Sequence, residues 1–138
     1  MWVARKVQAA LGDTKVLRVR VSEALGLWAE AERRCGQPER AVEIATEAAG
    51  LLEHGSPSLL NEAPVYLALH DALVDLGRLA EAKEAIARGI PRLVTRVRGL
   101  AGTPFARGFL RDLSGNAGLI AAAEAYSLVP HEIAELVG

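Results

Sequence analysis

A six-residue frame that occurs twice constrains this chain more than any other feature. Residues 36–41 (Gly-Gln-Pro-Glu-Arg-Ala) and residues 77–82 (Gly-Arg-Leu-Ala-Glu-Ala) share a Gly-x-x-x-x-Ala pattern, with an offset of 41 residues (77 minus 36). Glycine tolerates the positive φ that a tight turn between antiparallel helices needs. An alanine five positions later lets the two helices approach closely. The frame therefore predicts helical hairpins stacked side by side, each covering a face of its neighbour.

The segments in front of both frames carry apolar residues at helical spacing. Steps of four, four and three separate Leu17, Val21, Leu25 and Trp28, and the same steps separate Val65, Leu69, Leu73 and Leu76. This spacing places each set on one buried stripe of an α-helix, and no segment alternates with period two as a strand would. The sequence predicts an all-α fold, an α-solenoid of antiparallel hairpins with about seven or eight helices.

Composition limits the domain count and the compartment. The 138 residues are 51% apolar but only 4% aromatic, which predicts one domain over residues 1–138 with a core of Ala, Leu and Val. The net charge of −1 argues against a nucleic-acid binder. The single cysteine, Cys35, excludes an intramolecular disulfide, and neither a spanning apolar run nor a signal region is found. We expect a cytoplasmic protein without membrane segments.

Capping residues and prolines predict where the helices begin and end. Hairpins are expected at about residues 15–54 and 58–98, followed by capping helices over residues 103–137. A kink or a break is expected at Pro91, because proline lacks a backbone donor and clashes with the previous turn. The predicted starts are Asp13-Thr14, Pro38, either Ser56-Pro57 or Asn61-Pro64, Leu79, Asn116 and Pro130, with the first helix ending at Gly36.

The repeat resembles the tetratricopeptide repeat. In the first hairpin, large apolar positions hold Leu25 and Trp28, small positions hold Ala29, Ala41 and Ala48, and Gly36 is at the turn. In the second, the same positions hold Tyr66, Leu69, His70, Ala82, Gly89 and Gly77. His70 departs from the pattern, since a small residue is usual there. The offset also exceeds the roughly 34 residues of the common form.

The C-terminal part adds a second resemblance. Residues 105–116 (Phe-Ala-Arg-Gly-Phe-Leu-Arg-Asp-Leu-Ser-Gly-Asn), followed by Leu119 and Ile120, are similar to the end of the repeat arrays that close large bacterial signalling proteins. Those proteins are regulatory ATPases, cyclases and kinase-linked regulators. The resemblance implies a protein–protein interaction or scaffolding module, a regulatory portion of such a protein, and no enzymatic activity. The alternative is an effector-sensing domain that binds a small ligand in the concave groove.

Two sets of residues are candidates for binding a partner. In the standard repeat, first helices line a concave groove, which would place Ala24, Leu27, Ala31, Glu62 and Leu67 near a bound protein segment, a neighbouring domain or a second copy. Leu27 and Leu67 lie outside the packing stripe and, if exposed, would form an apolar patch. Arg88, Arg92 and Arg96 form a basic stripe at steps of four. An anionic partner would explain that stripe, and so would pairing with the acidic segment 41–85.

Other chemistry-bearing residues favour structural roles. His131 and Glu135 form only half of a zinc-protease helix and lack a further ligand. His70 with Asp71 and Asp75 has no nucleophile paired with it. Cys35, at a helix C-terminus, is expected to be a small core residue rather than a reactive thiol. The glycine-rich segment 99–108 lacks the Lys-Ser/Thr of a phosphate loop. No catalytic residue, cofactor or metal is therefore predicted.

Overall fold

The computed structural model describes Lys6, residues 15–55 and residues 62–137. In these residues the fold is all-helical, with seven helices and no strand. The predicted starts at Asp13-Thr14 and Ser56-Pro57 lie outside the described residues, and the third helix begins next to Pro64. The helices are α1 Lys15–Arg34, α2 Pro38–Glu53, α3 Ala63–Asp75, α4 Leu79–Arg98, α5 Phe105–Arg111, α6 Ser114–Ala125 and α7 His131–Val137.

The two predicted turns have the same geometry. Gly36 ends α1 with φ +80° and Gly77 ends α3 with φ +73°, the left-handed conformation that glycine adopts without steric cost. Each turn closes a Schellman motif, in which the amide after the glycine donates to a carbonyl five residues back. Both of these bonds measure 2.9 Å, from Gln37 to Glu32 and from Arg78 to Leu73. The repeated glycine of the sequence is thus a repeated backbone turn.

Small residues lie where the helices approach most closely, as the repeat predicts. Ala41, Ala48 and Ala82 are fully buried. Gly89 of α4 lies directly against Tyr66 of α3, since a Cβ built on Gly89 would be 2.8 Å from the Cγ of Tyr66. Only a residue without a side chain allows the Tyr66 ring to lie this close to the α4 backbone.

The helices contact one another in a regular order. α1 packs against α2, and α3 packs against both of them. α4 packs against α3, and α6 then contacts both α3 and α4. α5 contacts α4, α6 and α7, so that the three short helices gather at one end. The buried core runs from Val19 and Leu25 through α3 to Leu119 and Ile133.

Three local predictions are wrong. The first is the break allowed at Pro91: α4 continues through it from Leu79 to Arg98, because Ile86, Ile90, Leu93 and Val97 are buried along its length. Burial of four such side chains outweighs the roughly 3 kcal/mol cost of an internal proline.

The other two wrong predictions concern Asn116 and Cys35. Asn116 is not the cap of α6 but lies within it, fully buried, and donates from Nδ2 to the Phe109 carbonyl at 2.8 Å. It therefore ties α6 to α5. Cys35 is exposed rather than part of the core, because it follows the last residue of α1 on the solvent side of the turn.

Two glycine substitutions test the packing of α3 on α4. Gly50→Ala places a methyl group in open space within α2 and should raise the free energy of unfolding by about 0.5–1 kcal/mol through helix propensity. Gly89→Ala makes the same change within α4, but the added methyl group collides with Tyr66. This variant should lower the free energy of unfolding by about 1–3 kcal/mol. Urea denaturation followed by circular dichroism measures both. Equal effects of one sign would contradict the close contact.

Candidate interaction surface

An apolar stripe along α1 is exposed to solvent. Leu27 is 66% exposed, Leu17 40% and Trp28 36%, although Leu17 and Trp28 were predicted to belong to a buried stripe. Ala24, between Leu17 and Leu27, and Ala31, one turn after Trp28, are also exposed. We call these five residues the α1 stripe: Leu17, Ala24, Leu27, Trp28 and Ala31. Large apolar side chains grouped in this way on one helix face are typical of interaction sites.

The equivalent face of α3 is buried. A shift of 41 residues converts Ala24, Leu27, Trp28 and Ala31 into Val65, Ala68, Leu69 and Ala72, all of which are buried. The α3 face contacts α1 at both of its ends. A Cβ on Gly26 would lie 3.0 Å from Val65, and Arg33 Nη1 lies 3.2 Å from Asp75 Oδ2. The α1 stripe therefore corresponds to the face of α3 that is buried beside α1, but in α1 the described residues leave it exposed.

Leu67 does not belong to this surface, although the sequence placed it beside Leu27. It is half-buried between α3 and α6, where a Cβ on Gly118 would lie 3.0 Å from its Cδ1. Glu62, also predicted near the groove, is 1% exposed. The two leucines differ because α3 has a helix on its far side and α1 has none among the described residues.

Arg92 of the basic stripe binds groups inside the molecule. Its guanidinium lies 2.6 Å from Glu62 Oε1 and donates to the carbonyls of Leu52 and Gly55 at 3.0 and 3.2 Å. Burial by itself would lower the pKa of Arg92, but the hydrogen bond and charge of Glu62 raise it. Arg92 thereby links the end of α2 to the start of α3, on either side of residues 56–61, which the structure does not describe.

The other two arginines of the stripe are also occupied. Arg96 is buried, with its guanidinium carbon 5.4 Å from the centre of the Phe109 ring, and burial lowers its pKa. Arg88 is half-exposed and pairs with Glu53 at 2.5 Å. These positions favour the reading in which the stripe complements the acidic segment 41–85, because Arg92 and Arg96 are out of reach of a partner.

The acidic partner of Arg88 also holds α3. Tyr66 donates its hydroxyl hydrogen to Glu53 Oε2 at 3.1 Å. Burial, reinforced by the charge of Glu53, raises the pKa of the Tyr66 hydroxyl above its ordinary value. Tyr66 therefore stays neutral and acts as a donor between α2 and α3, with no nucleophilic role.

His70 connects α3 to the end of α6. Its Nδ1 lies 2.8 Å from Asp71 Oδ1, and its Nε2 lies 2.8 Å from the Tyr126 hydroxyl. Both ring nitrogens are thus occupied, and the position where a small residue is usual instead carries a polar link. His131 and Glu135 form an exposed pair at 2.9 Å on α7.

A cleft lies between the C-terminal part of α4 and the short helices. It measures about 570 Å³, within the range of small-ligand sites. Its rim carries Arg98, whose guanidinium contacts Glu132 at 3.0 Å. The apolar lining consists of Val94, Val97, Ala101, Ala106, Ile133 and Leu136. The cleft could not be predicted from the sequence, since its residues come from three separate segments.

Comparisons with known proteins do not assign this chain to a family. No protein-family model, curated protein or solved structure matches this sequence. Within the described residues, no helix is long and apolar enough to cross a membrane, and no three His, Cys, Asp or Glu side chains gather as metal ligands. The tetratricopeptide resemblance thus stands on the residues quoted for it.

Two arginine substitutions test the buried ion pair. Arg92→Met leaves Glu62 buried without this partner and should lower the free energy of unfolding by about 3–5 kcal/mol. Arg88→Met removes a half-exposed pair with Glu53 and should cost about 1 kcal/mol or less. Urea denaturation at neutral pH measures both. A loss at Arg92 no larger than that at Arg88 would show that the pair is not a structural anchor.

Proposed function

We propose that this chain is a protein–protein interaction module that binds an apolar helical surface through the α1 stripe. One observation carries the proposal: Ala24, Leu27 and Ala31 are exposed, while the residues 41 positions later are buried, with Val65 against Gly26 of α1. An apolar helix face that the described residues leave exposed has a large free-energy gain available from a partner. Burial of one leucine side chain is worth about 1.5–3 kcal/mol.

The proposed architecture is a short α-solenoid of tetratricopeptide-like hairpins. Two features support it. The turns at Gly36 and Gly77 share their hydrogen bonds, and α6 contacts α3 and α4 as α3 contacts α1 and α2. In this interpretation α6 stands where the first helix of a third hairpin would be, and α5 and α7 close the array beside it.

The proposed setting is regulatory. The similarity of residues 105–120 to the closing segment of bacterial signalling proteins supports a regulatory or scaffolding portion of such a protein. The function would then be geometric: the chain holds a partner or a neighbouring domain in one orientation, and no residue is assigned to catalysis.

A matched pair of variants tests the proposal. Leu27 and Leu79 are similarly exposed, at 66% and 60%, and lie on different helices. Tagged wild-type chain, Leu27→Asp and Leu79→Asp are used to capture proteins from the source lysate, which are quantified by mass spectrometry. We expect Leu27→Asp to lose at least tenfold of a partner that wild type and Leu79→Asp retain. An identical set on all three would overturn the assignment of the α1 stripe.

The cleft supports a second candidate, an effector-sensing domain. The sequence left open a small ligand bound in a concave groove, whereas this cleft is in a different place, between α4 and α7. Its lining is mostly apolar with charged groups at the rim, as small-ligand sites are. A ligand there would contact α7, and displacement of the Arg98–Glu132 pair would report its binding.

An apolar fluorescent probe tests the second candidate. Anilinonaphthalene sulfonate should gain fluorescence with the folded chain, and Ala101→Trp, which fills the cleft from its exposed rim, should reduce that gain at least threefold. Leu27→Asp should leave it unchanged. If the signal instead follows Leu27, the probe binds the α1 stripe and the cleft is not a ligand site.

A further inference from the structure

The centre of the α1 stripe has a pattern that reads the same in both directions. Ala24, Leu27, Trp28 and Ala31 are separated by steps of three, one and three. Four residues at i, i+3, i+4 and i+7 form the diamond that helices use for close contact. Here the small residues are at both ends of the diamond and the large ones are side by side in the middle.

From this pattern we propose that the partner on the α1 stripe is a second copy of this chain. The two α1 helices run antiparallel about a twofold axis through the centre of the diamond. Leu27 of one copy then faces Trp28 of the other, and Ala24 faces Ala31. A twofold contact needs such a self-complementary patch, in which each residue meets its counterpart in both directions. This inference rests on the proposed function of the α1 stripe.

The charges around the stripe suit a second copy. Arg20 lies 3.6 Å from Glu23, Arg34 lies 2.9 Å from Glu30, and Arg40 lies 3.3 Å from Glu32. Because each charge is already paired within its own chain, an identical face brings no single-sign repulsion.

The opposite end of the helix array explains why the assembly closes at two copies. The outward positions of α6 in the described chain, Ala121, Glu124 and Ala125, are small or charged, and α5 packs on the rest of the helix. Head-to-tail stacking would have to bury that surface against the α1 stripe and would continue into a filament. The pairing of two α1 stripes uses the apolar face of both copies and leaves no stripe open.

Sedimentation equilibrium of the full chain tests the stoichiometry. Wild type and Leu79→Asp should sediment at twice the chain mass of 14.7 kDa, and Leu27→Asp at the chain mass itself. Circular dichroism should be the same for all three, because Leu27 makes little contact with its own fold. A wild type that stays monomeric, or a Leu27→Asp variant that stays dimeric, would overturn the inference.

Mixed single-cysteine variants test the antiparallel geometry. In a Cys35→Ser background, Ala24→Cys and Ala31→Cys are prepared separately, mixed and oxidised. We expect disulfide-linked dimers only in the mixture, because seven residues of helix separate equivalent positions by about 10 Å and a disulfide needs Cα atoms within roughly 7 Å. Crosslinking of either variant with itself would exclude this axis.

The proposed interaction module and the proposed second copy on the α1 stripe can be refuted separately. If purified wild type is monomeric while Leu27→Asp still loses a lysate partner, the second copy is wrong and the interaction module stands. If Leu27→Asp changes neither the mass nor the captured proteins, both are wrong.

Discussion

Burial of α3 on all sides is the constraint on which the described structure depends. α3 contacts α1, α2, α4 and α6, so its thirteen residues must be apolar almost all round. Three of its polar groups bind different neighbours: Tyr66 binds Glu53 at the end of α2, His70 binds Tyr126 after α6, and Asp75 binds Arg33 of α1. A buried group such as the Tyr66 hydroxyl would cost about 1–3 kcal/mol without a partner, so its link to α2 fixes the position of α3.

The ion pair between Arg92 and Glu62 extends this constraint to the chain connection. Two carbonyls near the end of α2 accept from the same guanidinium that binds Glu62 at the start of α3. One side chain of α4 therefore sets where the first hairpin stops and where the second begins. The basic stripe therefore pairs inside the molecule and links α4 to α2 and to the start of α3. This pairing explains why its charges lie on a helix that faces the acidic segment.

The features that the sequence predicted are those set by local chemistry. The turns at Gly36 and Gly77 and the burial of Ala41 and Ala82 follow from requirements that each position imposes by itself. The features that it could not predict depend on what lies next to a helix in space. Leu69 is buried and Trp28 is exposed although both occupy the same repeat position, because only α3 has helices on both sides in the described chain. For the same reason the sequence did not predict that Leu67 packs against α6, that Arg96 is buried, or that a cleft lies beside α7.

The contrast between the two ends of the helix array has a consequence for how such a chain can change over time. A further helix could pack on the α1 stripe, which is exposed in the described chain, if it presented the face with which α1 contacts α3. Growth behind α6 would first have to displace α5 and α7 and expose Ile133 and Leu110, both fully buried. Among the described residues, lengthening by duplication is therefore easier at α1 than at α6, and the unit to be copied is a helix pair such as α1 with α2 or α3 with α4.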